Sequence, residues 1–394
     1  MSDLLYSETE DDLRAAVRSL LTDRAGHQEL LGRIETDSPY VPGLWKALAG
    51  DMGAAGLLVP EKLGGQGASH PEAAVVLEEL GRAATPAPYL TSAVVATETL
   101  LALASDSAPA AELLSGLATG GTVAVLAVPL TASPYADPAT AFTVTGVADS
   151  ATASTATGAA DSATASTATG AADPATASTV TGVADAVAAD VLLVPRADGL
   201  YAVPAGEATV EPQTPLDLTR PLARVTTEAG TGTRLAGPDE ARAAVRRGLL
   251  AGAGLLASEQ LGLAEWCLEE TVRHTRERHQ FNRPVGSFQA LKHRMAQLWL
   301  DLVGARAAAR AAADALATGS PDAPLTVAVA QAYCSKVAVR AAEECVQLHG
   351  GIGMTWEHPA HLALKRAKSD QLALGSAGRH QDAIAALVDL PAPA

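Results

Sequence analysis

The stretch "RERHQFNRPVGSFQALKHRMA" (residues 276–296) decides the fold, together with a second stretch, "VQLHGGIGMTWEHPAHLALKRAK" (residues 346–368). In the first, Arg278 follows a long helical pattern; in the second, a helical pattern runs into the adjacent glycines Gly350 and Gly351. An arginine holds a pyrophosphate through paired hydrogen bonds, and adjacent glycines let backbone N–H groups approach a phosphate closely. The two stretches therefore have residue types that are compatible with contact to a phosphate.

The region around them, residues 236–394, has the pattern of a four-helix bundle. Apolar residues recur at the helical period in "LLAGAGLLASEQLGLAEWCLEETV", "FQALKHRMAQLWLDLVGARAAARAAADALA" and "APLTVAVAQAYCSKVAVRAAEECVQLHG". The fourth helix, "HPAHLALKRAKSDQLAL" with "GRHQDAIAALVDL", is predicted to break at Gly375. Trp266 and Trp299 lie on apolar helical faces, so both are expected in the core. Helices joined by short links pack as a bundle.

The rest of the chain divides into two further regions. Residues 1–119 are helical in pattern, as in "ETEDDLRAAVRSLL" and "HPEAAVVLEELGRAA". At Gly120 the pattern changes to short β-branched segments separated by turn residues, such as "GTVAVLAVPL", "DVLLVP" and "GLYAVP". Residues 120–235 are therefore predicted to form a small β domain, and the fold class is α+β with the order helices, sheet, helices.

A twelve-residue tandem repeat lies inside the predicted β domain, at residues 135–182. The first of its four copies is "YADPATAFTVTG". If the last three copies, residues 147–182, are left out, the chain reads as a strand, a short connection and a strand. The middle copies lack the apolar residues of the first, so they offer little to bury. We interpret residues 147–182 as a duplication within a hairpin loop and not as a repeat architecture.

Composition limits the classes of partner. Among 394 residues, 48% are hydrophobic and 18% charged, which is typical of a folded protein, and aromatics are only 3%, so Ala, Leu and Val must form the core. The net charge of −16 argues against nucleic acid, which requires a basic surface. No apolar run is long enough to span a bilayer, and the N-terminus lacks the pattern of a signal peptide, so a cytoplasmic protein is expected.

No metal site is predicted from residue spacing. Cys267, Cys334 and Cys345 lie in apolar helical contexts without metal-ligand spacing and are expected to be buried free thiols. His358 and His361 are three residues apart, but no third ligand accompanies them in the sequence, so they are interpreted as helix-start and surface residues.

The two opening stretches, the loop "LLVPEKLGGQGAS" and the order of the regions resemble the acyl-CoA dehydrogenases across nearly the whole chain outside the repeat. The resemblance implies a bound FAD, held mainly by a neighbouring subunit, and implies that six residues contact its ADP half: Arg278, Phe281, Gln289, Gln347, Gly350 and Gly351. Asn282 replaces the glycine of the family pattern, and asparagine still permits a left-handed backbone.

The same resemblance implies that the catalytic base is missing. The family's glutamate, which removes the α-proton of the acyl thioester, corresponds in position to Leu374, and the alternative position on the long helix corresponds to Gly252. Neither side chain accepts a proton. The family's Thr-Glu-Pro and Gly-Ser-Asp stretch, which lines the flavin, is also absent, since the equivalent region reads "VLAVPLTASPYADP".

These absences, beside the retained ADP-side residues, favour the non-catalytic subunit of a heteromeric acyl-CoA dehydrogenase. The expected assembly is an α2β2 tetramer in which a catalytic partner subunit binds the acyl-CoA, and a bulky or steroid side-chain acyl group is one hypothesis for the substrate. Three alternatives remain at this point: a homomeric dehydrogenase whose base is Glu259 or Asp370, a flavin monooxygenase on the same fold, and a scaffolding subunit without a redox role.

Overall fold

The computed structural model describes residues 5–36, 38–136 and 177–391. The N-terminal part is helical, as predicted, and its described residues form α1 (Glu8–Arg24), α2 (His27–Arg33), α3 (His70–Ala83), α4 (Thr97–Leu101) and α5 (Ala108–Ala118). A π-helical segment, Tyr89–Ala96, leads directly into α4. A reciprocal cap fixes the start of α1, because the Ser7 N–H donates to Glu10 Oε2 at 2.7 Å and the Glu10 N–H donates to Ser7 Oγ at 3.2 Å.

Among the described residues, seven strands follow: β1 (Ala124–Leu126), β2 (Ser178–Ala184), β3 (Val191–Arg196), β4 (Gly199–Pro204), β5 (Ala208–Gln213), β6 (Leu222–Thr227) and β7 (Thr233–Ala236). They form a sheet of order β1-β3-β4-β7 and a second sheet of order β2-β6-β5. Side chains of both sheets share one core, to which Val125, Leu192, Val203 and Val225 contribute. The opposite face of the first sheet packs on the helices through Leu126 and Leu193. The predicted middle sheet domain is therefore a sandwich.

Strand β2 comes from the last copy of the tandem repeat. Its residues Ser178–Ala184 pair antiparallel with β6, with Val180 opposite Val225. A short turn, Ala186–Ala188, then leads to β3, which gives the predicted strand, connection and strand. Residues 137–176, which hold most of the repeat, lie outside the described residues.

The C-terminal part is built on α6 (Pro238–Glu277), α7 (Gln289–Ala317), α8 (Ala323–His349), α9 (Ala360–Asp370) and α10 (Ala377–Leu387). The fourth helix of the predicted bundle is broken between α9 and α10, where Leu374 and Gly375 have φ of +53° and +103°. Within the described ranges, no helix is both long and apolar enough to cross a membrane.

Helix α6 lies at the centre and crosses α3 at backbone contact. A Cβ on Gly262 would lie 1.8 Å from the Glu78 carbonyl oxygen, and a Cβ on Gly81 would lie 2.0 Å from the Glu259 carbonyl oxygen. Only glycine permits this approach. The crossing joins the N-terminal helices to the C-terminal bundle.

Most of the expected core is buried, with one exception. The three cysteines are buried free thiols, as predicted, and Trp266 is buried, with 9% of its surface exposed. Trp299 was expected in the core, but the structure leaves it 61% exposed on α7. An apolar helical face in the sequence does not distinguish burial within the chain from burial against another subunit, and this explains the error.

Candidate functional site

The end of α6 presents Arg278 on a short hairpin. Arg278 follows the last residue of the helix, and the strands β8 (His279–Gln280) and β9 (Arg283–Pro284) pair across the turn that follows it. The two turn residues, Phe281 and Asn282, have φ of +51° and +60°. This is the geometry of a two-residue hairpin turn, in which asparagine is a common residue. Asn282 therefore has the left-handed backbone that the glycine of the family pattern would adopt at this position.

The side chains of this hairpin point outward. Phe281 is 85% exposed, and Arg278 and Gln289 are also exposed. The Val285 N–H donates to the Arg278 carbonyl at 2.8 Å, which fixes the backbone. The Arg278 guanidinium makes no hydrogen bond or ion pair with any residue that the structure describes. A fixed backbone with an unpaired cation suits the binding of an anion from outside the chain.

The second stretch forms an open turn at the end of α8. Gly350 has φ of +64° and ψ of −140°, a conformation that favours glycine. A Cβ on Gly350 or on Gly351 would meet no atom within 4 Å, so both face open space, and the Gln347 side chain is exposed beside them.

The two stretches meet at one end of the bundle. The His274 ring, one turn before Arg278, lies 4.2 Å from the ring of His349, which directly precedes Gly350. The two helix ends that carry the residues assigned to the ADP half of FAD therefore lie close together, and those residues are exposed. An unpaired guanidinium and an open glycine turn fit the phosphate-bearing part of such a ligand. Their exposure suits a ligand whose other side is held outside this chain.

The two positions at which the catalytic base was expected lie against each other. A Cβ on Gly252 would be 3.0 Å from Leu374 Cδ1 and 2.5 Å from a methyl carbon of Val95. Leu374 is 5% exposed, and its N–H donates to the Leu130 carbonyl at 2.7 Å. The sequence predicts that both positions lack a base. The structure adds that hydrophobic side chains fill the position.

A small apolar cavity lies beside Leu374. Its volume is about 30 Å³, and its lining includes Leu90, Val95, Val125, Leu130 and Leu249. That volume holds about one water molecule. An acyl chain or a flavin ring does not fit there without repacking this core.

His380 is a titratable residue near this site that the sequence analysis did not consider. A Cβ on Gly375 would lie 3.2 Å from His380 Nε2, so the imidazole packs against the bend that carries Leu374. Burial lowers the pKa of His380 to about 4. A general base is most effective when its pKa is near the working pH, so His380 is a poor replacement for the missing glutamate. No motif or spacing marked this residue, because only the fold brings it to Leu374.

The two alternative bases, Glu259 and Asp370, belong to a buried ion cluster. The cluster consists of Asp217, Arg220, Glu259, Arg366 and Asp370, none of which is more than 4% exposed. Arg366 contacts Glu259 and Asp217 at 2.6 Å each, and Arg220 pairs with Glu259 and lies 3.2 Å from Asp370. The cluster connects the β domain to α6 and α9 and is separated from solvent.

The charges of this cluster set its protonation. Burial favours the neutral form of Glu259, but Arg220 and Arg366 outweigh it and hold the pKa of Glu259 below its usual value. Burial and the Glu259 charge raise the pKa of Asp370 to about 8, against the same two arginines. Within this cluster three carboxyls face two guanidiniums, and a proton on Asp370 removes one of the negative charges. Both groups therefore have a structural role here, and this argues against either as a substrate base.

Comparison with known proteins gives a consistent result. The family model described as "Acyl-CoA dehydrogenase, N-terminal domain" matches residues 7–121, and the model of the C-terminal domain matches residues 242–388. Acyl-CoA dehydrogenase IpdE2 of Mycobacterium tuberculosis is 34% identical over 366 residues, which cover 91% of either protein.

Two solved structures share the fold. A chain of the "Tcur3481-Tcur3483 steroid ACAD G363A variant" is 26% identical with a TM-score of 0.77, over 97% of this chain and 98% of that one. A chain of the ChsE4-ChsE5 complex from Mycobacterium tuberculosis is 24% identical with a TM-score of 0.78, over 99% of this chain and 100% of that one. With a curated relative matched along almost its full length, and both terminal domains recognised, this chain belongs to the acyl-CoA dehydrogenase family.

Proposed function

We propose that this chain is the non-catalytic subunit of an FAD-dependent acyl-CoA dehydrogenase, an α2β2 complex in the cytoplasm that introduces an α,β double bond into an acyl-CoA. The contact between Leu374 and Gly252 carries the proposal. Both positions at which the family places a base lack one, and an apolar side chain occupies the space between them. Proton removal therefore falls to another chain.

The contribution of this chain is one side of the FAD site. Arg278 supplies an unpaired cation for the pyrophosphate, and the Gly350–Gly351 turn lets backbone N–H groups approach it. Phe281, Gln289 and Gln347 are exposed around them and complete the contact with the ADP half. When bound, FAD accepts the β-hydride of the acyl group, while the partner's base takes the α-proton.

An exposed apolar surface supports a partner subunit. Trp299, Leu300 and Val303 are 61%, 57% and 43% exposed on one face of α7, and Val329 and Tyr333 continue this surface on α8. A second group of exposed apolar residues surrounds the cofactor-facing turn: Phe281, Ile352, Met354 and Trp356. Exposed apolar residues that form a contiguous patch are typical of protein interfaces. We propose that a catalytic acyl-CoA dehydrogenase subunit covers both groups.

A bulky or steroid side-chain acyl group is the proposed substrate class. One matched structure is named a steroid ACAD and carries two protein names joined as a pair. An assembly with one working site per pair leaves the second half-site free to accommodate a large acyl group.

Co-expression with a neighbouring dehydrogenase-like chain tests the proposal. The flavin absorbance and the mass are measured for the lone chain and for the co-purified material. We expect a colourless lone chain and a yellow complex with equal amounts of both subunits. A lone chain that purifies as a yellow homotetramer contradicts the heteromeric assembly.

A substitution at Arg278 tests the shared cofactor site. Arg278→Ala should lower the flavin content of the complex at least about tenfold, because a charge-assisted pair to phosphate is lost. Arg246→Ala is the matched control, since Arg246 is an exposed arginine of the same helix with no ion pair among the described residues. Equal flavin loss in both variants would exclude a specific role for Arg278.

A further inference from the structure

Three groups meet directly beneath the Gly350–Gly351 turn. Glu270 lies on α6, His349 is the last residue of α8, and His358 precedes α9. Glu270 Oε1 is 3.6 Å from Nε2 of each imidazole. The His349 side chain is fully buried, whereas the other two are about one-seventh exposed. The proposed function assigns no role to this cluster.

A backbone contact determines which nitrogen of His349 carries a hydrogen. It therefore determines whether the nitrogen that faces Glu270 is a donor or an acceptor. His349 Nδ1 lies 2.6 Å from the Cys345 carbonyl oxygen, which only accepts, so Nδ1 carries a hydrogen. His349 Nε2 has no hydrogen-bond partner, although it is buried and points to the carboxylate. In a neutral His349 two bare acceptors would face each other, which is unfavourable in a buried site. A positive charge must lie between them.

A proton fits this place better than a metal ion. The three side chains have the composition of a two-histidine, one-carboxylate site. However, the Ala360 N–H donates to His358 Nδ1 at 3.2 Å, which leaves the hydrogen of a neutral His358 on the Nε2 that a metal would need. Arg273 also donates to Glu270 from Nε at 3.0 Å, so a cation already occupies one side of the carboxylate.

We propose that Glu270 is a positioning residue that keeps His349 as an imidazolium and thereby holds the Gly350–Gly351 turn in its cofactor-binding form. The inference rests on the proposed function for its effect on flavin, but not for the protonation of His349. The imidazolium also lies at the C-terminus of α8, where a positive charge is favourable.

The turn depends on His349 through direct packing. A Cβ on Gly353 would lie 2.9 Å from the Cβ of His349, so the chain after Gly350 folds back onto this residue. The His349 ring lies between the rings of His274 and His358, at 4.2 and 4.4 Å. His274 is one turn before Arg278, so one cluster supports both cofactor-facing stretches.

The titratable and charged groups around His349 are as follows. Helix α6 contributes Cys267, Glu270, Arg273 and His274, and α8 contributes Cys345. His358 comes from the segment before α9, and His27 of α2 interacts with Glu270 and His358. Burial favours neutral His349, but contacts with Cys345 and Glu270 outweigh it and raise the pKa of His349 to about 10. Glu270→Gln removes the carboxylate's share in retaining this proton, while the contacts with Cys345 remain.

The first measurement is the ring titration of His349 by NMR in the full-length chain without a partner. In the wild type, we expect His349 to remain protonated at pH 8. In Glu270→Gln, we expect His349 to lose its proton below pH 8. A neutral His349 at pH 7 in the wild type overturns the proposal. If Zn²⁺ shifts the ring resonances of His349 and His358 at equimolar concentration, the cluster is a metal site and the proposal is likewise overturned.

The second measurement is the flavin dissociation constant of the co-expressed complex. Glu270→Gln should raise it by about three- to thirtyfold, the usual range for a residue that acts through its neighbours, and the effect should increase with pH. Glu277→Gln is the matched control, because Glu277 also pairs with Arg273, at 2.9 Å, but does not contact His349. An equal effect of both variants contradicts positioning through His349. A complex without any flavin contradicts the proposed function, while the NMR result still decides this inference.

Discussion

At the scale of one residue, Leu374 occupies the position to which the family resemblance assigns the catalytic base. Leu374 is buried and has a left-handed backbone at φ +53°. Its Cδ1 would lie 3.0 Å from a Cβ on Gly252. The sequence predicted that both base positions are empty, because a motif fixes the count along the chain. It did not predict that the two positions meet, since 122 residues separate them in sequence and only the packing of α6 against the bend after α9 brings them together.

Restoring a glutamate at position 374 tests this packing. Leu374→Glu should lower the free energy of unfolding by more than about 3 kcal/mol, because a carboxyl enters an apolar site without a partner. Leu374→Met is the control and should cost less than about 1.5 kcal/mol, since it keeps the volume and the same backbone strain. Urea unfolding measures both, and a Glu variant as stable as the Met variant would show that the site is open and polar.

Asp370 gives the protein a specific dependence of stability on pH. Its pKa is about 8 in the folded chain and about 4 in an unfolded one. Between these values the folded state holds the proton that the unfolded state has released, so this group lowers stability as the pH rises.

Asp370→Asn, which resembles the protonated acid, should therefore remove that part of the decline. The difference in unfolding free energy between variant and wild type should grow in favour of the variant from pH 5 to pH 8. Urea unfolding at several pH values measures it, and a difference that does not change with pH would mean that Asp370 is ionised throughout.

The crossing of α3 and α6 is the decisive contact at the scale of elements. The sequence predicted both helices from their apolar period but not their contact, because the glycines Gly81 and Gly262 also fit a flexible or poorly packed helix. Backbone approach, which only the structure reveals, gives these two positions their role.

Gly262→Ala should lower the free energy of unfolding by at least about 2 kcal/mol, because its Cβ would overlap the Glu78 carbonyl and the backbones must separate. Gly32→Ala in α2 is the matched control, since a Cβ there meets no atom within 4 Å. The control should be neutral or stabilising by up to about 1 kcal/mol, from helix propensity alone. Thermal unfolding of the two variants compares them, and similar losses in both would contradict the close crossing.

The tandem repeat leads to another expectation at this scale. Deleting residues 147–182 joins the first copy to Val183, and the sequence "TVTG" that enters β2 is the same in the first and last copies. The melting temperature should then change by less than about 4 °C, the equivalent of about 3 kcal/mol in a chain of this size, since the unfolding entropy is about 2.1 cal/mol/K per residue. A fall of more than about 10 °C in differential scanning calorimetry would indicate that the repeat is part of the fold.

At the scale of the whole molecule, the sequence was sufficient for the order of helices, sheet and bundle and for the family. The resemblance assigned six residues to the cofactor. Their exposure, and the proximity of the two helix ends that carry them, agree with that assignment, which stays a prediction. The domain boundaries at 1–119, 120–235 and 236–394 also stay predictions. The sequence did not reveal the exposure of Trp299 or the cluster of Glu270, His349 and His358, because an apolar face does not identify its cover and no spacing links residues on three elements.

The central claim is that this chain completes a flavin site but does not remove the substrate proton. Its most direct test is to add an acyl-CoA under anaerobic conditions and to record the flavin absorbance of the lone chain and of the co-expressed complex. We expect the complex to bleach and the lone chain, even when supplied with FAD, to show no change. Bleaching of flavin by acyl-CoA in the lone chain would contradict the claim and would require a base within this chain.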